Sequence, residues 1–241
     1  MPNNYFQFKQ FTVYQDACAM KVCTDACLFG AWVVAGLGQR PQPAQQVLDI
    51  GGGTGLLSLM VAQETNATIH TVEIDIAAAE QATANFAGSP WANRLSVHQT
   101  AIQQFTSSLQ YDVIISNPPF FENDLKSASN KRNLALHSEA LSLDELFKNV
   151  DRLLQPEGVF ALLLPWHRHK EAIAIATQSG LHMTAMASIQ QTPAHNNFRV
   201  MLLFERITQH SFTQEQLVIR DADNLYTQEF SRLLKNFYLH L

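Results

Sequence analysis

The sequence predicts an α/β fold built on a doubly wound, mostly parallel sheet of seven strands with an antiparallel hairpin at one edge. Three observations carry this expectation. From Gln46 onward, short apolar and β-branched runs alternate with helical stretches, and strands joined by helical crossovers lie parallel. A glycine turn, Gly51-Gly52-Gly53-Thr54-Gly55, joins the first of those strands to its helix. Late in the chain the runs His182 to Gln190 and Phe198 to Arg206 follow each other with no helix between them, so they are expected to pair antiparallel. A length of 241 residues suits one domain with extensions, and 46% apolar with 15% charged residues is the composition of a chain that buries a core.

Taken in order, residues 1–22 mix aromatic and polar side chains, with Phe6, Phe8 and Phe11 nearly alternating, and predict a short strand or an ordered arm. Thr24-Asp25, two good N-cap types, precede the apolar stretch from Ala26 to Val33, so a helix is expected to start near Asp25. Pro41 and Pro43 make residues 38–45 a connector. Strands follow at Gln46–Ile50, Ala67–Glu73, Leu95–Gln99, Tyr111–Ser116 and Gly158–Leu164, with helices at Gly55–Glu64, Ile76–Ala87, Leu143–Leu154 and Arg168–Ser179. Ser142 with Glu145 three residues on reads as a capping box. Tyr226 to Leu241 carries Phe230, Leu233, Leu234 and Phe237 at helical spacing and is expected to pack back on the core. The expected organisation is a single domain over 1–241: an arm and helix at 1–45, a catalytic core at 46–206 and a helical tail at 207–241.

Composition narrows the class. The N-terminal residues do not place a cationic stretch before an apolar one, and the most apolar run, Val159 to Pro165, is too short to span a bilayer; a soluble, cytoplasmic protein without a membrane part is expected. Cys18, Cys23 and Cys27 fit neither a secreted disulfide framework nor a zinc-ribbon spacing, so reduced thiols and no metal are expected. With a net charge of −5 and a pI near 6.0, any RNA site must be a local basic patch.

Two stretches carry chemistry. Asn117-Pro118-Pro119-Phe120 ends the run Val113-Ile114-Ile115-Ser116. Two prolines fix φ near −65° and push Asn117 out of the helical region, which makes the turn stiff. Such a turn can aim the Asn117 side-chain oxygen and the Pro118 carbonyl together, beside the flat face of Phe120. Two acceptors and an aromatic face suit a planar amine. Upstream, the glycine turn opens a helix and presents free N–H groups to a ligand. It lacks the third glycine of the dinucleotide motif and the Gly-Lys-Ser/Thr of the phosphate loop. Glu73 ends the next strand, where a carboxylate can accept hydrogen bonds from both hydroxyls of a ribose.

Together the glycine turn, Glu73 and Asn117-Pro118-Pro119-Phe120 resemble the S-adenosylmethionine-dependent methyltransferases that modify exocyclic or amide nitrogens. The N-terminal runs Phe8-Lys9-Gln10-Phe11-Thr12-Val13 and Ala19 to Trp32 narrow the resemblance to the bacterial tRNA1(Val) adenine-37 N6-methyltransferase family, and the Phe198-Arg199-Val200 strand and Tyr226-containing tail extend it over nearly the whole chain. The resemblance implies a Rossmann-like class I methyltransferase fold, S-adenosylmethionine as cofactor, tRNA as partner and a monomer. It implies that Lys21, Thr24 and Asp25 lie near the methionine part of the cofactor with Asp49 and Gly51, that Gly53, Glu73, Ile74 and Asn117 complete its site, and that Ala101 and Ile102 contact its adenine. Pro118, Pro119 and Phe120 share the catalytic role with Asn117.

The chain departs from the family pattern twice. Cys23 and Cys27 stand where glycine is usual, and Ala101 stands where an Asp normally accepts from the adenine amine. After Phe120 a long polar stretch carries Lys126, Lys131 and Arg132, which with Lys9 and Arg199 are the expected contacts for RNA phosphates. None of the nine histidines is assigned to catalysis; His137 and His195 are candidates by location only. Three other readings share parts of the pattern. A ribosomal RNA guanine-N2 methyltransferase has the same reaction class, and a protein glutamine N5-methyltransferase usually has a helical domain before the glycine turn, for which too few residues precede Gln46. A non-catalytic RNA-binding module would not need the intact Asn117–Phe120 turn.

Overall fold

The computed structural model describes residues 4–18, 21–118, 141–206 and 212–241. Among them an eight-stranded sheet carries helices on both faces, and a two-stranded hairpin stands apart from it. The hairpin is β1 (Tyr5–Gln7) and β2 (Thr12–Tyr14), paired antiparallel with Tyr5 opposite Tyr14. It is followed by α1 (Thr24–Leu37).

The sheet strands are β3 (Gln46–Ile50), β4 (Thr68–Glu73), β5 (Leu95–Gln99), β6 (Tyr111–Ser116), β7 (Leu154–Pro165), β8 (His182–Gln190), β9 (Asn197–Glu205) and β10 (Thr213–Val218). Their spatial order is β10-β8-β9-β7-β6-β3-β4-β5. All pairs are parallel except β9, which runs antiparallel to both β7 and β8. Helices α2 (Leu56–Glu64), α3 (Ile76–Ala87), α4 (Leu143–Leu153) and α5 (His169–Gln178) connect them, and α6 (Gln228–Leu234) follows. From β3 the chain steps outward to β4 and β5, then returns to the other side of β3 for β6 and β7. That reversal makes the ends of β3 and β6 the switch point, where open α/β sheets place their ligands.

Alternate residues of each strand feed two cores. Val47, Ile69, Val113, Ile115, Ala161 and Met201 pack against α1, α2 and the C-terminal residues Phe230, Leu234 and Phe237. Leu48, Ile50, Ile114, Phe160, Leu162 and Phe204 face the other way, against Leu146, Phe147 and Val150 of α4 and Ala172 of α5. The capping box forms as expected, with the Ser142 hydroxyl accepting from the Glu145 N–H and the Glu145 carboxylate accepting from the Ser142 N–H.

One expectation changes. The sheet has eight strands, not seven, because Thr213–Val218 pairs with β8 at the edge. Its sequence, TQEQLV, has no apolar alternation, and only Leu217 of it is buried, so backbone pairing and one anchor hold it where the side-chain pattern is silent. The first helix begins at Thr24 with Cys23 as its uncapped N-cap. This agrees to one residue with the expected start near Asp25, which stands inside the first turn with its carboxylate accepting from Arg199.

Candidate active site

The carboxyl ends of four adjacent strands assemble the site. Ile50 pairs with Ser116 and with Val72, so Gly51, Asn117 and Glu73 leave the sheet side by side from strands about 5 Å apart. The Ser116 hydroxyl donates to the Ile50 carbonyl at 2.8 Å, fastening β6 to β3 at this point. Asn117 is half-buried and Pro118 buried. Pro119, Phe120, Lys126, Lys131, Arg132 and His137 lie outside the described residues.

The turn is shaped by its glycines and by one carboxylate. Gly51 and Gly53 have φ of 73° and 55°, a region that strains any other residue, and a Cβ at either would meet nothing within 4 Å. The side of the turn they present is open, a cradle for a ligand. Gly52 faces inward, where a Cβ would lie 2.0 Å from the Thr71 methyl. The N–H groups of Gly51 and Gly52 donate to the Val72 carbonyl, at 2.8 and 3.3 Å. Glu73, 8% exposed, accepts from the Gly53 N–H at 2.8 Å and from the Asp75 N–H at 2.9 Å, one on each oxygen. Each oxygen keeps a second lone pair for a ligand hydroxyl.

Asp49 lies beneath the turn, fully buried, and not on its open side. The Ser58 hydroxyl donates to its Oδ2 at 2.8 Å and sits 2.7 Å from the Thr71 hydroxyl, while Oδ1 has no partner among the described residues. Burial, opposed by the Ser58 bond and aided by the charge on Glu73, pushes this carboxyl up to about 7. In the fold it keeps its proton at pH 5, whereas the unfolded chain has given it up, so this group lowers stability as pH rises from about 4 to about 7. Asp49→Asn, which cannot ionise, should therefore gain on the parent by about 2–4 kcal/mol between pH 4 and pH 7.5. Urea midpoints at several pH values check this; a difference that does not vary with pH contradicts it.

The remaining expected residues divide. Thr24 and Asp25 begin α1, and Asp25 accepts from Arg199 Nε at 2.9 Å. Arg199 lies opposite Pro165, the last residue of β7, so the ion pair stands at the same sheet edge. Ile74, 52% exposed, follows Glu73, and Ala101 and Ile102 follow β5, whose Gln99 pairs with Glu73. Ala101 is half-buried and its carbonyl accepts from the Gln104 and Phe105 N–H groups. Lys21 is exposed just ahead of α1. Lys9 is not at this edge. Its backbone N–H donates to Phe237 and its Nζ to the Lys235 carbonyl, while Gln63, near the far end of α2, holds the Asn236 carbonyl. His195 does lie at the carboxyl edge, in the exposed turn between β8 and β9, with its Nδ1 2.7 Å from Thr192 Oγ1. A cleft at the opposite edge, lined by Arg40, Asp112 and Glu157, is away from the turn; Asp112 there accepts the backbone N–H groups of Gln45 and Gln46.

Sequence reading passed over Ser58, Ser116 and Asn85. The first two are single hydroxyls in apolar runs and give no pattern. Asn85 did leave a signal: it is a polar residue on the buried stripe of α3 formed by Ala78, Ala79, Ala82 and Phe86.

The chain matches the model of the methyltransferase small domain over residues 33–201. A tRNA1(Val) (adenine(37)-N6)-methyltransferase of Phocaeicola vulgatus is 44% identical over 243 residues, covering 100% of both chains. The protein of the same description from Pseudoalteromonas translucida is 41% identical and covers 98% of this chain and 99% of its own. Among solved structures, a predicted O-methyltransferase from Agrobacterium tumefaciens superposes with a TM-score of 0.66 at 16% identity, over 88% of this chain and 96% of that one. The glycopeptide N-methyltransferase MtfA complexed with S-adenosyl-L-methionine does so with a TM-score of 0.54 at 13% identity, over 74% and 94%. These two likenesses concern the fold, which is the Rossmann-like class I methyltransferase fold.

Proposed function

The chain belongs to the tRNA1(Val) (adenine(37)-N6)-methyltransferase family, and from that premise we propose that it methylates the N6 amine of adenine 37 in the anticodon loop of tRNA1(Val), using S-adenosylmethionine. The observation that carries this reading is the switch point itself, where the open glycine turn with Glu73 stands beside Asn117 and Pro118.

S-adenosylmethionine supplies, when bound, an electrophilic sulfonium methyl. The chain's residues do the rest. The N–H groups of Gly51–Gly53 are not free for a ligand, being held by the Val72 carbonyl and Glu73; the open side of the turn lets the cofactor lie close to the backbone, and the spare lone pairs of Glu73 accept its ribose hydroxyls. Asp49 acts through the turn by supporting it from below. Adenine N6 is a weak nucleophile because its lone pair is delocalised into the ring. Asn117 Oδ1 and the Pro118 carbonyl accept its two hydrogens, which turns the lone pair out of the ring plane. Both bonds strengthen as positive charge develops on nitrogen, so they favour the transition state over the ground state. Holding the amine in line supplies the other large share of the acceleration. Water takes the proton afterwards. Phe120, two residues after Pro118 in the sequence, is assigned to stack on the base, for about 1–3 kcal/mol. Lys126, Lys131 and Arg132, with Arg199 at the rim, meet RNA phosphates, and a loop adenine reaches the pocket by leaving its stack. Lys9 stands beside the C-terminal residues, away from this edge.

Ala101 leaves the adenine amine of the cofactor without a carboxylate partner. Ala101→Asp should tighten S-adenosylhomocysteine binding by about tenfold to 10²-fold, on the scale of one hydrogen bond to a charged group. Calorimetry measures it, and unchanged or weaker binding contradicts the assignment of this position. Incubation with methyl-tritiated S-adenosylmethionine and separated tRNA, ribosomal RNA and release-factor substrates tests the function. Label is expected in tRNA; label confined to either other substrate would overturn the reading.

A further inference from the structure

Asn85 is 3% exposed, and its amide makes three hydrogen bonds that link distant parts of the chain. Its Oδ1 accepts from the Tyr14 N–H, and its Nδ2 donates to the carbonyls of Tyr14 and Thr54, each at 2.9 Å. On one side this completes the N-terminal arm. Tyr14 faces Tyr5, and the adjacent bond runs from the Gln15 N–H to the Asn4 carbonyl, so Tyr14's own N–H and carbonyl point away from β1. Asn85 meets both of them, imitating a strand for one residue.

On the other side the same amide holds the glycine turn. Thr54 lies between Gly53 and Gly55, whose φ values are 55° and 79°. Fixing its carbonyl fixes the peptide plane that carries the Gly55 N–H, which donates to the Gly52 carbonyl at 2.8 Å. From Tyr14 the arm continues toward the cofactor side of the molecule. The Ala17 N–H donates to Gln81 at 3.3 Å, and the Val22 N–H returns to the side chain of Gln15, itself 4% exposed, at 2.8 Å. Cys18 lies near enough to Glu73 and Asp75 for their carboxylates to add to burial in pushing its thiol up to about 11.

We propose that Asn85 is a positioning residue for S-adenosylmethionine, locking the arm at Tyr14 and the glycine turn at Thr54 into one unit so that the turn keeps its binding shape only while the arm is docked. The proposal rests on the reading of that turn as the cofactor cradle. Without the amide, three backbone groups lose their partner, the Thr54 carbonyl buried and the Tyr14 N–H and carbonyl partly so. The cofactor must then order the turn itself, and its apparent affinity falls by the fraction of time the turn is competent. Asn117 and Pro118 are untouched, so the loss falls on KM and Kd for the cofactor and not on kcat.

The test uses the whole protein with S-adenosylhomocysteine as probe. Asn85→Ala should raise its Kd, and KM for S-adenosylmethionine, by about tenfold or more, with kcat at saturating cofactor within about threefold of the parent. In the wild type, amide exchange at Tyr14 and Val22 should slow when S-adenosylhomocysteine is added, and the variant should lose that response. Equal affinity in the two proteins overturns the proposal, and so does exchange at Tyr14 and Val22 in the wild type that ignores the ligand. The exchange measurement needs no variant, so it decides even where Asn85→Ala does not fold. A wild type that fails to bind S-adenosylhomocysteine overturns the cofactor reading and this proposal with it; binding without coupling to the arm overturns this proposal alone.

Discussion

Asn117→Ala should lower methyl transfer to tRNA by about 10²-fold or more while S-adenosylhomocysteine binds within about threefold of its wild-type affinity. The expected size follows from what the side chain does. It supplies one of two acceptors that gain strength as the amine becomes positive, and removing one such bond costs about 3–4 kcal/mol in the transition state and little in the ground state. Fold and cradle should survive, because β6 is fixed to β3 by the Ser116 hydroxyl and by parallel pairing through Ile50–Ser116, neither of which uses the Asn117 side chain. Single-turnover rates with saturating cofactor and tRNA separate the effect from binding. A variant that turns over at near-wild-type rate would remove Asn117 from the chemistry.

Glu73→Ala should fail differently, at binding. Its carboxylate holds the Gly53 and Asp75 N–H groups at 2.8 and 2.9 Å and is the expected partner of the ribose hydroxyls. Hydrogen bonds to a charged group contribute about 1.5–3 kcal/mol each. Losing the ribose contacts and loosening the turn together should weaken S-adenosylhomocysteine by about 10²–10³-fold. Glu73→Gln keeps a neutral acceptor and should lose about tenfold. High cofactor concentration should restore much of the rate in both, which distinguishes them from Asn117→Ala. Unchanged affinity in Glu73→Ala, by calorimetry on the folded protein, would move the cofactor elsewhere.

The contrast between these variants reflects what was legible in the sequence. Strand ends were readable wherever an apolar run stops at a residue of special backbone chemistry, so Ile50-Gly51 and Ser116-Asn117-Pro118 marked the ends of two strands, while their adjacency at the switch point follows from the strand order. Ile76–Ala87 matched its expected helix, and the capping box at Ser142 and Glu145 formed because both halves are local. What failed was non-local. Thr213–Val218 is a strand because β8 offers it a free edge, and its own side chains say nothing of that. Thr24-Asp25 did mark the start of α1, but nothing local told that Asp25 pairs with Arg199, 174 residues away. Asp49 was readable as a turn residue, but its burial under the glycines depends on Ser58 and Thr71 from two other elements.

The most direct test of the central claim is the identity of the methylated atom. Purified protein, S-adenosylmethionine and a tRNA1(Val) transcript with adenine at position 37 should give one methyl group per tRNA, recovered as N6-methyladenosine after nuclease digestion and mass spectrometry. A transcript with guanine at that position should give none. Methyl recovered on guanine N2, equal incorporation in both transcripts, or no incorporation by the folded protein would contradict the account.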